Sequence, residues 1–222
     1  MTSSLPVTSG SGGPDQEPRG LRAIVSVSAL RANAALLDSH APVVLSHDAW
    51  GHGEAAVAGV LRASGLTVAE PGSSSDSDAL ATLYGLPGSN GAPALRLVGT
   101  VLSVKPLLAG EGVSYGYTHR ADTDTRVALV TGGYAQGIVR ALGNHAAVAI
   151  AGARLPIVGR VAMDVCVVDV GDVRVERGDE VVFFGDPASD EPSMGEWVLA
   201  TGFTAAEIVT TIGQRATREY TE

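Results

Sequence analysis

Residues 111–120, EGVSYGYTHR, hold Tyr115 between the small residues Ser114 and Gly116, with His119 and Arg120 just beyond. Gly112 and Gly116 let the backbone take positive φ or approach another surface closely. A phenol placed there exchanges protons with a substrate if its surroundings bring its pKa below the reference value of about 10. Otherwise the tyrosine caps the edge of an apolar layer. A second cluster, SHDAWGH over residues 46–52, sets His47 and His52 around a glycine turn with Asp48 between them. Their spacing matches no recognised ligand motif; surface or capping roles account for them, and no metal is expected. Amine chemistry has a single side chain to draw on, because the 15 basic residues are 14 Arg and one Lys, Lys105. Cys166 alternates with Val165 and Val167 and reads as a small buried strand residue.

The scaffold for these groups has 222 residues and is 45% hydrophobic, enough for one large domain or two small ones. A net charge of −9 with no Lys/Arg cluster argues against nucleic acid and anionic membrane as partners. The lone Cys166 excludes an intramolecular disulfide. No apolar run reaches the length of about 20 residues that spans a bilayer, and no basic-then-apolar leader opens the chain; a cytoplasmic location is the expectation.

Residues 1–20, rich in Ser, Gly and Pro, read as a disordered tail. Residues 23–27 read as a strand, followed by a helix capped by Ser28 that runs to about Ser39, with Leu30, Ala34 and Leu37 on one face. A buried strand at 42–45, a helix at 54–64 ending before Gly65, and a short strand at 67–69 complete a β-α-β-α-β unit. That alternation is the grammar of a parallel sheet. Two or three parallel strands cannot cover both their faces, so the unit must lie on the second half of the chain or on another subunit. Residues 70–78, EPGSSSDSD, read as a polar joint with no helix after it. Beyond residue 95, Val-rich runs at 97–105, 126–131, 147–151, 154–161, 164–170 and 179–184 predict an antiparallel β domain. Thr204 and Glu207 make a capping box for a helix ending at Gly213. The fold class is α+β and mostly β: a strand–helix unit over 21–70, a linker over 71–91 and a β domain over 92–222.

Five blocks then stand out in order: GEGVSYGYTHRA from Gly110, GGYAQGIVRAL from Gly132, GARLPIVGRVAMDVCVVDVGD from Gly152, GDEVVFFG from Gly178 and EIVTTIGQR from Glu207. Together they resemble the C-terminal domain of alanine racemase, the pyridoxal-phosphate enzyme that interconverts L- and D-alanine. Upstream, AIVSVSALRANAALL resembles that family's opening strand and first helix, and VVLSHDAWGHGEAAVAGVLRASG the segment that carries its cofactor lysine. LYGLPGS resembles the stretch leaving the family's barrel near its far end, so residues 21–70 look like a remnant of a barrel most of which is missing.

What the resemblance implies for chemistry follows residue by residue. In the family a lysine holds the cofactor and acts as one acid/base group, and a tyrosine from the partner subunit acts as the other. Tyr115 matches that tyrosine. Met163 and Asp164 match the pair that receives the substrate carboxylate, and Tyr134 matches the Tyr of GYADG, whose Asp is Gln136 here. Ser46 stands at the lysine position, Trp50 replaces a Tyr, and His52 matches the family's His; Trp50 either stacks on a ring ligand or fills space left by the lost barrel. A serine hydroxyl has no nitrogen for an imine, and the phosphate loops belong to missing strands. The resemblance thus implies a degenerate racemase-like protein, inactive alone and without cofactor, that acts as an oligomerisation or binding module. It would form a homodimer or join a full-length alanine racemase subunit. The alternative is a pyridoxal-phosphate-dependent alanine racemase with an unusual arrangement, in which Lys105 substitutes for the lost lysine.

Overall fold

In the computed structural model, residues 20–69 and 76–222 are described; the tail expected over 1–20 lies, apart from Gly20, outside them. Alternating apolar side chains drive most of the strands. β1 (Arg22–Ser26) comes first, and the β domain opens with β2 (Leu95–Leu107) and the short hairpin β3 (Gly112–Val113) and β4 (His119–Arg120). β5 (Thr125–Thr131), β6 (Ala147–Ile150), β7 (Ala153–Val158), β8 (Val165–Asp169) and β9 (Glu180–Phe184) follow. All six expected strands lie within three residues of these bounds.

The antiparallel domain closes into a barrel. β2, β5, β8, β7, β6 and β9 pair in that order, and β9 returns to β2. β2 serves both ends of the ring, with Leu97–Thr100 against β9 and Val101–Leu107 against β5. Register shifts at Leu97/Val98 and Val101/Ser103 carry it through the corner. Closure leaves no open edge within the ring. Val130, Val148, Ile157, Val168 and Phe183 are fully buried, each such side chain contributing about 1.5–3 kcal/mol of transfer free energy.

The N-terminal unit departs from expectation. α1 (Val27–Ala34) is capped by Ser26, whose Oγ accepts from the Ala29 amide at 3.0 Å, and not by Ser28. It ends at Ala34 instead of near Ser39, because the Asp38 carboxylate takes the His40 amide at 2.9 Å in a local turn ahead of Pro42. β1 does not join a parallel β-α-β-α-β sheet. It pairs antiparallel with the first residues of β2 and parallel with β10 (Thr217–Thr221). The expected strands at 42–45 and 67–69 shrink to one parallel bridge, Val43–Val68. β1 fits between β2, with four paired residues, and β10, with five, and without β1 the remaining pair has no third strand to extend it.

α2 (His47–Trp50) is a single turn, and α3 (Glu54–Ala63) follows it. α4 (Ser77–Tyr84) lies in the stretch expected to be a linker over 71–91 without a helix; the Asp76 carboxylate caps it by accepting from the amides of Asp78 and Ala79. Buried Asn33 ties the loop after α4 down, donating to the Leu83 and Ala92 carbonyls at 3.0 and 2.8 Å and accepting from the Ala92 amide at 2.8 Å. One apolar cluster runs from Leu21 to Ile212 through α1, α3, α4 and the barrel, so the unit rests on the second half of its own chain.

α5 (Met194–Thr201) was not expected, although Ser193 and Glu196 repeat the capping-box spacing and Glu196 returns to the Ser193 amide at 3.0 Å. It buries Trp197 edge-on against Phe183 and Phe184, at centroid distances of 6.4 and 5.1 Å. α6 (Ala205–Gly213) has the Thr204/Glu207 capping box and the Gly213 end that the sequence gives. Among the described residues no helix is long and apolar enough to cross a membrane.

Candidate functional site

Tyr115 sits on a single 3-10 turn, Tyr115–Tyr117, at the tip of the β3–β4 hairpin. Leu107, Val113, Ala121, Val127 and Val158 form a small apolar cluster of their own that includes both flanks of this tip. The tip itself is conformationally costly. Ser114 has φ 60° and ψ −175°, Gly116 φ 77° and Tyr117 φ 46°, and non-glycine residues in such regions cost about 1–3 kcal/mol each. The Tyr115 side chain is 74% exposed, and among the described residues its phenol has no hydrogen-bond partner. The Ser114 hydroxyl donates to the Arg160 carbonyl at 2.5 Å, and the Arg160 guanidinium lies 3.4 Å from where a Cβ on Gly116 would sit.

Residues 159–164 form the spine on which the other matched residues assemble. At one end is the Tyr115 turn, on Arg160. At the other, the Tyr134 and Ala135 amides donate to the Ala162 and Met163 carbonyls at 2.9 Å, and the Gly132 amide donates to the Asp164 carbonyl at 3.0 Å. Gly133 is required because a Cβ there would overlap the Met163 carbonyl. Gln136, where the family pattern has Asp, caps the Tyr134 turn by accepting from the Gly133 amide at 2.8 Å. The Arg140 guanidinium covers the Tyr134 ring at 4.1 Å. Met163, 54% exposed, and Asp164 face solvent beside them. Exposed Tyr115, Met163 and Asp164 and half-buried Tyr134 are thus tied to one surface strip, residues 159–164, which makes up the matched face. Arg160, Arg140 and Asn144, which complete it, were missed from the sequence. An arginine within the GRVAMD block and an asparagine in the positive-φ context GN were the available signals.

Ser46, Trp50 and His52 form a separate group, which shares no hydrogen bond with that face among the described residues. His47, Asp48, Ala49 and Trp50 all have φ between 49° and 56°, so α2 is a left-handed turn, costing about 1–2 kcal/mol per residue. Asp48 offsets this by accepting from the Glu54 amide at 2.8 Å and from Arg218 at 2.6 Å; Arg218 also donates to the Gly51 carbonyl at 2.9 Å. Burial works to raise the Asp48 carboxyl, but the Glu54 amide and Arg218 outweigh it and hold it below the usual carboxylate range. The turn seats on α6 through Gly51 and Gly213, whose backbones touch.

His52 is 0% exposed and stacks on Tyr84 at 4.2 Å, with Trp50 tilted against Tyr84 at 5.7 Å. Its Nδ1 donates to the Ala49 carbonyl at 3.1 Å, and its Nε2 has no partner among the described residues. Burial lowers its pKa from 6.5 to about 4, and burial likewise pushes the Tyr84 phenol up. Because the folded state binds the proton more weakly than the unfolded state, this stability is present above pH 6.5 and is lost as pH falls towards about 4. The loss expected by pH 4 is on the order of 3 kcal/mol. Denaturant titrations at intervals from pH 4 to 7 check this, and His52→Phe should flatten the slope in that window. An unchanged slope in that variant would remove His52 as its source.

His47 is exposed while His52 is enclosed, so the pair does not share an open site, and no group of three or more His, Cys, Asp or Glu able to hold a metal occurs among the described residues. Ser46 lends α2 no capping bond, and Lys105 is exposed on the β2–β5 arm opposite Val127. The donor set at position 46 does not fit pyridoxal phosphate: a hydroxyl replaces the amine, and the neighbouring Trp50, Tyr84 and His52 rings are packed on one another. Cys166 is buried in β8 as expected, its thiol pushed up to about 12 by burial.

Comparison with known proteins gives the family and the fold. A family described as "Alanine racemase, C-terminal domain" matches residues 94–220. The alanine racemase of Thermobifida fusca is 44% identical over 129 residues, 58% of this chain and 34% of that protein. The alanine racemase of Mycobacterium avium is 46% identical over 132 residues, 59% of this chain and 34% of that protein. The chain therefore spans about a third of the length of these curated relatives. Among solved structures, the alanine racemase of Streptomyces coelicolor superposes with a TM-score of 0.80 at 21% identity, covering 91% of this chain and 98% of that one. The alanine racemase of Bartonella henselae, solved with covalently bound pyridoxal phosphate, does so with a TM-score of 0.76 at 17% identity, covering 92% of this chain and 100% of that one. At such identities the structural likeness speaks for the fold, and the sequence match carries the assignment: from the first residues of β2 to the last strand, this chain belongs to the alanine racemase C-terminal domain family.

Proposed function

We propose that this chain is a racemase-derived module without racemase activity of its own, which pairs with a second copy or with a full-length alanine racemase protomer and presents Tyr115 to that protomer's active site. The observation that carries the reading is the contrast between its two halves. Tyr115 is held out on a built turn with a free phenol, whereas Ser46 stands where the family pattern has its lysine. In the partner's site the phenol would give or take the proton at the substrate α-carbon on the face opposite the partner's lysine. Cofactor and lysine come from the partner; this chain supplies one proton-transfer group and the surface around it. The motive drawn from uncovered parallel strands no longer applies, since those residues pack within the chain, and the case for a partner rests on the open face alone.

The test is size-exclusion chromatography with light scattering, on the chain alone and mixed with a purified alanine racemase. A homodimer or a mixed dimer is expected. A clean monomer that also ignores the racemase would end the proposal. Purified chain mixed with pyridoxal phosphate is expected to show no imine absorbance; a band that vanished with Lys105→Ala would instead favour an unusual racemase.

A further inference from the structure

We propose that Ser114 and Asn144 are positioning residues that together clamp the Tyr115 turn, fixing the direction in which the phenol projects; this rests on reading Tyr115 as a donated proton-transfer group. An exposed tyrosine on a surface hairpin needs no unusual backbone, yet here it sits between Ser114 at φ 60°, ψ −175° and Tyr117 at φ 46°. Such conformations persist only where the surroundings over-determine them. The surroundings here are two ties to the same piece of backbone. On the N-terminal side of the turn, the Ser114 hydroxyl donates to the Arg160 carbonyl at 2.5 Å. On the C-terminal side, Asn144 links Thr118 to the neighbouring residue, its Nδ2 donating to the Thr118 hydroxyl at 3.3 Å and its Oδ1 accepting from the Gly159 amide at 2.6 Å.

Asn144 is itself at φ 65°, a conformation that asparagine tolerates better than most residues. Gly159 completes the fit, since a Cβ there would come within 3.0 Å of the Val113 carbonyl and 3.1 Å of the Ser114 Cβ. With no hydrogen bond to the phenol itself, the ring's direction is set by the backbone of residues 114–118. That backbone is anchored at both ends to residues 159–160, the spine that also carries Met163 and Asp164. The clamp therefore fixes Tyr115 relative to the rest of the matched face.

The experiment pairs the full chain with a full-length alanine racemase whose own SYG tyrosine is replaced by Phe, so that activity depends on Tyr115. Ser114→Ala and Asn144→Ala are each expected to lower kcat at least tenfold, with KM for alanine within twofold. Asn144→Asp keeps the acceptor for the Gly159 amide and is expected to retain most of the activity. Both alanine variants staying within twofold of the unaltered chain would overturn the clamp. A second measurement does not need the partner: 15N relaxation of the Tyr115 and Gly116 amides in the chain alone. Order parameters near the rigid value of about 0.85 should fall below about 0.6 in both alanine variants, and unchanged values would overturn the proposal. If the unaltered chain restores no activity, the reading of Tyr115 as a donated group fails, and relaxation alone decides the clamp.

Discussion

Tyr115→Phe is expected to abolish the activity that this chain restores to a racemase protomer lacking its own SYG tyrosine. Phenylalanine keeps the ring, the exposed position and the turn, whose strain lies in the backbone of residues 114 and 117, and removes only the hydroxyl. Positioned proton transfer contributes about 10²–10⁴ in rate, so D-alanine formation by the mixture should fall at least 100-fold, to the level of the deficient racemase alone. Lys105→Ala serves as the control. That side chain is exposed on the β2–β5 arm, and the mixture should not notice its loss. Equal restoration by the Phe and Tyr chains would show that this chain helps its partner by packing and not by chemistry. Ser46→Lys alone should restore no cofactor imine, because an amine at that position still lacks a phosphate cradle.

Gly213→Ala is expected to destabilise the chain by roughly 3 kcal/mol, at the upper end of the overpacking range. A Cβ on Gly213 would overlap the Gly51 carbonyl, and one on Gly51 would come within 2.7 Å of the Val209 carbonyl, so neither backbone has room to yield. The contact seats the left-handed α2 turn on α6, and moving it would also strain the Arg218 bonds to Asp48 and Gly51. For a domain of this size the melting temperature should drop by about 6–12 °C. Gly59→Ala is the matched control: Gly59 lies inside α3 with nothing within 4 Å of a new Cβ, and the change should stabilise by about 0.5–1 kcal/mol. If Gly213→Ala costs less than about 1 kcal/mol, the Gly51–Gly213 contact does not hold the N-terminal unit in place.

How far the sequence reaches depends on whether the deciding interaction is local. The Val-rich runs of β5 to β9 were legible because short β-branched stretches bounded by Gly, Pro or Asp declare strands within a local window. The α6 capping box was legible for the same reason, since Thr204 and Glu207 answer each other across one turn. The SYG turn was visible in Gly116, where the backbone needs positive φ, and in Gly112, where a Cβ would meet the Tyr117 ring. Recognition of the five blocks supplied the candidate roles of Tyr115, Tyr134, Met163 and Asp164, which lie within residues 159–164 or are hydrogen-bonded to them, Tyr115 through Ser114.

What the sequence left undecided were choices among distant partners. β1 carries a pattern suited to a parallel unit, but its pairing went to β2 and β10, about 70 and 190 residues away, which together bond both of its edges. TREYT at the C-terminus looks too polar for a strand until that partner is known. Closure of the barrel by β9 onto β2 and the clamp from Asn144 to Thr118 and Gly159 are likewise long-range. His52 shows the limit most clearly. As a residue type beside His47 it read as a surface or capping group, and only tertiary packing, which buries it against Tyr84 with no charge to neutralise it, makes it a neutral core side chain and a liability in acid. Local spacing determined which elements and turns this chain forms, whereas desolvation and non-local backbone pairing, which no window of sequence contains, decided where each chemical group ended up.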